Sequence, residues 1–183
     1  MNTFIKSIAK IFRKLLTNIF YNDYTIANYF RSQGAIIGKN NRFHIRGLGS
    51  EPYLIHIDNN CVISSGVRFI THDGAVGIFR DEVKDLNIFG TIEIKDRCFI
   101  GMSSILMLNV KIGPNSVVGA GSVVTKDVPP NSVVAGVPAK VICSVDEYKQ
   151  KCIQEYKALN LQGPQSTWKE QLIKHFWGSQ VDK

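Results

Sequence analysis

Residues 94–140 read IKDRCFIGMSSILMLNVKIGPNSVVGAGSVVTKDVPPNSVVAGVPAK, and a bulky apolar residue recurs at every sixth position. The series is Ile94, Ile100, Leu106, Ile112, Val118 and Val124. Four positions after each member stands a small or β-branched residue: Cys98, Ser104, Val110, Ser116, Ser122 and Val128. Period six matches neither the 3.6-residue period of a helix nor the two-residue alternation of a strand. The pattern predicts an all-β solenoid in which three hexads make one triangular coil.

The repeat extends upstream through Ile57, Ile63 and Phe69, and covers about residues 36–135. We expect it to resume at Ile88, which leaves the hexad 69–74 followed by an external loop over residues 75–87. An insertion in a solenoid leaves one face, often the binding face. The prediction therefore places a site beside this loop.

The two ends of the chain predict helices outside the repeat. Residues 1–32 carry an amphipathic stripe that includes Phe4, Ile8 and Phe12, with lysines and arginines mainly off it. Such a helix docks on protein or makes a peripheral contact with an anionic membrane. Residues 144–183 predict two further helices, near 145–160 and 167–177, each after a capping-box pattern. The β-helix catalytic domain is then expected over residues 33–143.

Composition restricts the partners and the compartment. The 183 residues carry a formal net charge of +7, which favours a nucleic acid, a membrane surface or a phosphate-rich cofactor. The four cysteines form no C-x-x-C pair, which is typical of reduced thiols in a cytoplasmic protein. Charges interrupt the first apolar stretch, so the sequence predicts neither a secretion signal nor a spanning helix.

Residues 119–140, GAGSVVTKDVPPNSVVAGVPAK, together with a histidine before a single insertion, closely resemble the hexapeptide-repeat acetyltransferases. The branch is that of maltose, galactoside and xenobiotic acetyltransferases, and the sugar acetyltransferases of bacterial surface-polysaccharide pathways are similar. The resemblance covers about residues 36–142. It implies a left-handed parallel β-helix, a homotrimer with sites between subunits, and acetyl-CoA in the groove between two prisms.

The resemblance also implies roles for individual residues. His72 matches the catalytic histidine that precedes the external loop. The positions matching coenzyme contacts are Met102, Ala120, Thr125, Lys126 and Lys140, and Gly101 beside Met102 is included in the predicted coenzyme site. Some relatives have a serine where Met102 stands and an arginine where Cys143 stands, which puts one hydroxyl contact and one phosphate contact in doubt.

Acetyl transfer from a thioester needs a base, a group that orients it, and a donor for the oxyanion. An imidazole is suited to take a proton from a sugar hydroxyl near neutral pH. Glu82 and Asp85 in the loop are the candidate carboxylates that orient His72, and Asp73 is expected to point away. A backbone N–H near Gly101 or Gly119 is the candidate oxyanion donor.

The predicted function is acetyl-CoA-dependent transfer of an acetyl group to a hydroxyl or amino group of a sugar. The acceptor would be a nucleotide-linked amino sugar or a glycan, and the enzyme would work in the cytoplasm or at the inner face of the membrane. A xenobiotic acceptor is the alternative within the family, and neither a metal nor a nucleic acid is expected.

Two other classes use a similar prism. A metal-dependent carbonic anhydrase needs three converging histidines with one close pair, whereas His44, His56 and His72 are widely spaced and include no close pair. A non-catalytic scaffold would need neither the loop nor the lysines.

Overall fold

The computed structural model describes residues 20–178. Two compact units follow each other along the chain, one ending at Val145 and the other beginning at Asp146. Among its described residues, the first unit carries helix α1 and thirteen short strands: α1 (Ile26–Ser32), β1 (Ile36–Ile37), β2 (Arg42–Phe43), β3 (Ile55–Ile57), β4 (Val62–Ile63), β5 (Arg68–Phe69), β6 (Ile92–Ile94), β7 (Phe99–Ile100), β8 (Ile105–Leu106), β9 (Val110–Ile112), β10 (Val117–Val118), β11 (Val123–Val124), β12 (Ser132–Ala135) and β13 (Lys140–Ser144).

The strands stack into three sheets, which we call the first, second and third faces. The first face is β1-β3-β6-β9, the second is β2-β4-β7-β10-β12-β13, and the third is β5-β8-β11. Every neighbouring pair is parallel except β12 and β13, which pair antiparallel at the end of the second face. The chain visits the faces in turn, so the predicted solenoid with three strands per coil is confirmed.

The period-six residues form the core of the solenoid. Every member of the series from Ile57 to Phe69 and from Ile94 to Val124 is buried. The small residues four places later are buried too, except after Phe69, where the loop begins. Because successive strand residues point to opposite sides, each short strand buries its bulky residue and presents its neighbour outward. The hexad pattern therefore predicts the inward-facing residues correctly.

Each coil turns its corners through backbone conformations that few residues adopt. At the first corner, between the first and second faces, one residue per coil has a positive φ: Asn40, Asn60, Arg97, Asn115 and Asn131. Asparagine tolerates this left-handed region better than most side chains. The amide of each of the last four donates to a carbonyl of the preceding coil, as in Asn60 N–H to Lys39 O at 2.9 Å.

The external loop is longer than the sequence predicted. In the coil after the loop, Glu93 pairs with Lys111, whereas across the loop His56 pairs with Glu93. His56 and Glu93 are about twice as far apart along the chain as Glu93 and Lys111. The loop therefore adds roughly the length of one whole coil. Ile88, predicted to resume the core repeat, is 43% exposed and belongs to the loop. The periodicity was misassigned there because an apolar residue happens to stand at the expected spacing.

The N-terminal prediction falls largely on residues 1–19, which lie outside the described residues. The expected helix is not continuous to residue 30, because residues 21–25 form a turn before α1 begins. Ile26 and Phe30 of α1 are buried, and the Phe30 ring meets the Phe43 ring edge-on with centroids 5.1 Å apart. Helix α1 thus contributes to the core at the start of the stack.

The C-terminal helices are confirmed as α2 (Val145–Leu159) and α3 (Trp168–Trp177). The capping box predicted at Thr167 is wrong, because its hydroxyl donates to the Pro164 carbonyl at 2.8 Å and makes no cap bond. The Tyr156 and Trp168 rings lie 6.3 Å apart. No helix within residues 20–178 is long and apolar enough to cross a membrane.

Stacking leaves no room for a side chain at Gly113, where an added Cβ would lie 2.6 Å from the backbone nitrogen of Pro130 in the next coil. We expect Gly113→Ala to lower the free energy of unfolding by about 1–3 kcal/mol, as overpacking does elsewhere. Gly74→Ala is the matched control, since nothing lies within 4 Å of its added Cβ. Denaturant unfolding at one protein concentration measures both. Equal stability of the two variants would contradict close stacking at this corner.

Candidate active site

His72 lies where the chain leaves the third face and enters the external loop. Its backbone forms an antiparallel bridge with Phe89 at the far end of the loop. On either side of it, the Asp73 amide donates to the Ile88 carbonyl at 3.0 Å and the Gly90 amide donates to the Thr71 carbonyl at 2.8 Å. These bonds fasten both ends of the loop together and so fix the backbone that carries His72.

A carboxylate from the preceding coil holds the His72 ring. Nδ1 of His72 lies 3.0 Å from Oε2 of Glu51, and the buried Thr71 hydroxyl donates to the same oxygen at 2.6 Å. Nε2 has no hydrogen-bond partner among residues 20–178. The side chain of Glu51 is 13% exposed and that of His72 is 46% exposed. A ring whose Nδ1–H donates to the carboxylate keeps Nε2 as an outward acceptor.

The surroundings of Glu51 keep its carboxyl ionised. The hydrogen bond from Thr71 is the main cause that holds the pKa of Glu51 below its ordinary value, and the hydrogen bond and charge of His72 act in the same direction. Partial burial opposes this shift without reversing it. The ring is therefore paired with a negative charge rather than with a neutral acid.

The carboxylate beside His72 is Glu51, so the prediction of Glu82 or Asp85 is corrected. Glu82 and Asp85 are exposed residues of the loop, and neither has a hydrogen bond or ion pair with His72 among residues 20–178. Asp73 does point away, because its Oδ1 accepts from the Ala75 amide at 2.9 Å. Glu51 was missed because it stands well before His72 in the sequence, in a stretch that does not follow the hexads. No spacing rule connects the two.

The residues predicted to contact the coenzyme divide between two corners. Gly101, Met102 and Ala120 stand at the second corner, between the second and third faces. Thr125 and Lys126 follow β11 at the third corner, as His72 follows β5 at the same corner two coils earlier. Ala120 and Thr125 are five positions apart, which in an extended chain is a distance of up to about 16 Å. Lys140 is exposed and begins β13, in register with Ala135.

The predicted oxyanion donors are already occupied. The Gly101 amide donates to the Val118 carbonyl and the Gly119 amide to the Val134 carbonyl, both at 2.8 Å. These bonds join neighbouring coils, so neither of these two N–H groups can meet an oxyanion, and an adjacent amide remains as the predicted donor. Gly101 instead serves stacking, since an added Cβ would lie 2.5 Å from the Ala120 nitrogen.

The other histidines have partners of their own. Nδ1 of His44 lies 2.8 Å from Asp23, and Nε2 of His56 lies 2.9 Å from Asp58 on the first face. Within residues 20–178, no three side chains of His, Cys, Asp or Glu come together as a metal site would require. The three histidines before the loop therefore do not converge.

Comparison with known proteins agrees with this architecture. The family model described as bacterial transferase hexapeptide (six repeats) matches residues 91–126. Protein CapG from Staphylococcus aureus is 45% identical over 150 residues, which cover 80% of this chain and 84% of that protein. The galactoside O-acetyltransferase of Escherichia coli (strain K12) is 48% identical over 67 residues, 36% of this chain and 33% of that one.

Two solved structures of acetyltransferases also match this chain. A maltose O-acetyltransferase from Clostridium difficile 630 matches with a TM-score of 0.53 and 25% identity, covering 75% of this chain and 84% of that chain. A hexapeptide-repeat containing acetyltransferase from Vibrio cholerae matches with a TM-score of 0.55 at 24% identity, covering 73% and 86%, and shows the shared fold.

The sequence match to CapG spans most of both chains, and the family model matches part of the repeat that forms the core. Membership of this family implies that the parallel β-helix is left-handed. The chain belongs to the hexapeptide-repeat transferase family, and it is an acyltransferase.

Proposed function

We propose that the protein transfers an acetyl group from acetyl-CoA to a hydroxyl or amino group of a sugar, with His72 as the general base. The observation that carries this proposal is the pairing of His72 with Glu51 at the base of the loop, where Nε2 is left as an outward acceptor. The names of two relatives, a galactoside and a maltose O-acetyltransferase, support a sugar as the acceptor.

The step follows from this geometry. Nε2 of His72 takes the proton from the acceptor hydroxyl as its oxygen attacks the thioester carbonyl carbon. The new C–O bond gives a tetrahedral oxyanion, and breaking of the C–S bond releases the CoA thiolate. The imidazolium then returns the proton to that thiolate. Ionised Glu51 stabilises the imidazolium between these two transfers. No acyl-enzyme is formed.

The coenzyme lies in a groove between two subunits of a homotrimer. The candidate contacts are split between the second corner, with Met102 and Ala120, and the third corner, with Thr125 and Lys126. Facing the second corner of one subunit with the third corner of its neighbour would bring both groups around one coenzyme. Lys126 and Lys140 are exposed cations that suit its phosphates. The Ala120 amide, which donates to no carbonyl among the described residues, replaces Gly101 and Gly119 as oxyanion donor.

An acceptor screen tests the function directly. Purified protein with acetyl-CoA is offered matched hydroxyl and amino sugars, free and as nucleotide-linked forms, and free-thiol release is followed. We expect release above the background hydrolysis rate with at least one sugar. No release with any sugar, alongside release with a small xenobiotic alcohol, would contradict a sugar acceptor.

Removing the base should abolish most of the rate. We expect His72→Ala to lower kcat by about two to four orders of magnitude, because general-base catalysis is worth that much. Coenzyme binding should persist, since the predicted coenzyme contacts lie elsewhere. Turnover is measured by thiol release and binding by calorimetry with CoA. His56→Ala is the matched control, as that histidine pairs with Asp58 on the first face. Unchanged turnover in His72→Ala would reject the role.

Glu51 is proposed as a positioning residue, and Glu51→Gln keeps its size but removes its charge. We expect kcat to fall by about 10- to 100-fold, with a smaller change in the KM for acetyl-CoA. The double variant Glu82→Gln, Asp85→Asn should retain the wild-type kcat, because both side chains are exposed and apart from His72. A larger loss of kcat in the double variant than in Glu51→Gln would instead assign the positioning of His72 to the loop carboxylates.

The lowered pKa of Glu51 predicts that the stability of the protein depends on pH. Its pKa is lower in the folded protein, so the stabilisation is fully present above the ordinary carboxyl pKa and is lost as pH falls through the lowered value. The wild type should therefore be more stable than Glu51→Gln near neutral pH, with the difference shrinking below about pH 4.3. Unfolding curves of both proteins over this range measure it.

Complementation between subunits tests the shared groove. His72→Ala changes the third corner, and Ala120→Trp places a large ring at the exposed second corner without touching the core. Each variant alone should be inactive. Trimers formed from an equal mixture should recover about a quarter of wild-type activity, because one site in four combines two intact corners. No recovery in mixed trimers would place the whole site on one chain.

A further inference from the structure

Two cavities of about 540 and 680 Å³ have four lining residues in common, Gly47, Gly49, Val67 and Arg68, and His72 lines the larger one. We treat the two neighbouring cavities together as one cleft. One end holds Glu51 and His72, and the other end holds His44 and Arg46. We call this the acceptor cleft. It begins at the proposed base and runs away from the external loop over the first two coils.

Gly47 lines both cavities and leaves open space beside its backbone. A Cβ added there would meet nothing within 4 Å, and its φ lies outside the left-handed region. A larger side chain at this position would therefore occupy space that is now open, without straining the backbone.

The charges that line the cleft are unbalanced. Glu51 is its one acidic lining residue among those described, and its carboxylate is held by Thr71 and His72. Arg46 is paired with Asp23 at 3.0 Å. Arg68 is exposed, and it has no ion pair or side-chain hydrogen bond with any residue from 20 to 178. The cleft therefore presents a cation whose charge the described chain does not neutralise.

Arg46 adds a second feature at the far end. Its Nη1 donates to the carbonyls of Phe43 at 3.2 Å and Ile45 at 3.1 Å, which fixes the guanidinium. Its Nε is buried and has no acceptor among residues 20–178. The guanidinium of Arg46 is thus fixed and incompletely satisfied, and Arg68 lines the same cavity, so this cavity is suited to an anion.

We propose that Arg68 determines acceptor specificity by binding a phosphate group attached to the acceptor sugar, while the sugar hydroxyl or amine meets His72. This inference rests on the proposed function and deepens it by naming a phosphorylated acceptor. Arg68 and His72 line the same cavity. They are four residues apart, at most about 14 Å between their Cα atoms. One phosphorylated sugar could therefore reach both side chains.

A guanidinium recognises the same phosphate chemistry whether it comes from a sugar 1-phosphate, a nucleoside diphosphate sugar or a lipid-linked diphosphate sugar. All three are therefore assayed as matched pairs with the methyl glycoside of the same sugar. The readout is the ratio of kcat/KM for the phosphorylated form to that for the methyl glycoside. The form with the highest wild-type ratio identifies the source.

We expect Arg68→Gln to lower this ratio by about 10- to 100-fold, the range for loss of charge-assisted hydrogen bonds to a phosphate. Arg68→Lys should recover part of it, because the charge remains while the planar fork is lost. Arg97→Gln is the matched control, since Arg97 is an exposed arginine at the first corner, outside both cavities. A ratio in Arg68→Gln within twofold of the wild type would overturn the proposal.

Direct binding separates this inference from the proposed function. If no sugar is acetylated, the function fails, and the dissociation constants of the sugar phosphates decide the inference alone. A rise of tenfold or more in Arg68→Gln supports phosphate binding, and equal constants overturn it. Gly47→Leu should block the same ligands while CoA still binds. Unimpaired sugar phosphate binding in Gly47→Leu would remove the cleft as their site.

Discussion

The structure depends on backbone hydrogen bonds that join each coil to the next in fixed register. Those bonds form only if every coil turns its corners at equivalent places, and the left-handed residues at the first corner, from Asn40 to Asn131, make that turn possible. Stacking then buries the bulky residue of each hexad without a conventional sheet-on-sheet core. It also uses the amides of Gly101 and Gly119, which explains why neither is available for chemistry.

The candidate site occurs where this regularity is interrupted. Ile37 pairs with Ile57 across a coil that is slightly longer than three hexads, and His56 pairs with Glu93 across the much longer external loop. Glu51 belongs to the first irregularity, and His72 begins the second. Because adjacent coils stack closely, two irregular segments far apart in sequence become neighbours in space. The regular coils hold the backbone in place, and the two irregular segments carry the paired side chains of Glu51 and His72.

The contrast between regular coils and irregular segments explains which parts of the structure could be predicted from the sequence. A strict period of six requires inward-facing residues at fixed places, so the core from Ile57 to Val124 was predictable. His72 was predicted as the base from the family resemblance and from its place just before the loop, not from the period itself. Glu51 was not, since its distance from His72 depends on an irregular segment whose path no period describes. The same weakness misassigned Ile88, where spacing alone mimicked a repeat.

Selectivity among such enzymes must come from residues that the stack leaves free. On the third face the inward residues Phe69, Leu106 and Val124 are constrained by packing, whereas the outward partners in the same register are Arg68, Ile105 and Val123. An outward position can change its chemistry without disturbing the core. On this face a charge stands only in the coil that carries His72, among the described strands. A cation in the cavity of the proposed base, with apolar residues at the same place in the later coils, would restrict acceptors rather than the coenzyme.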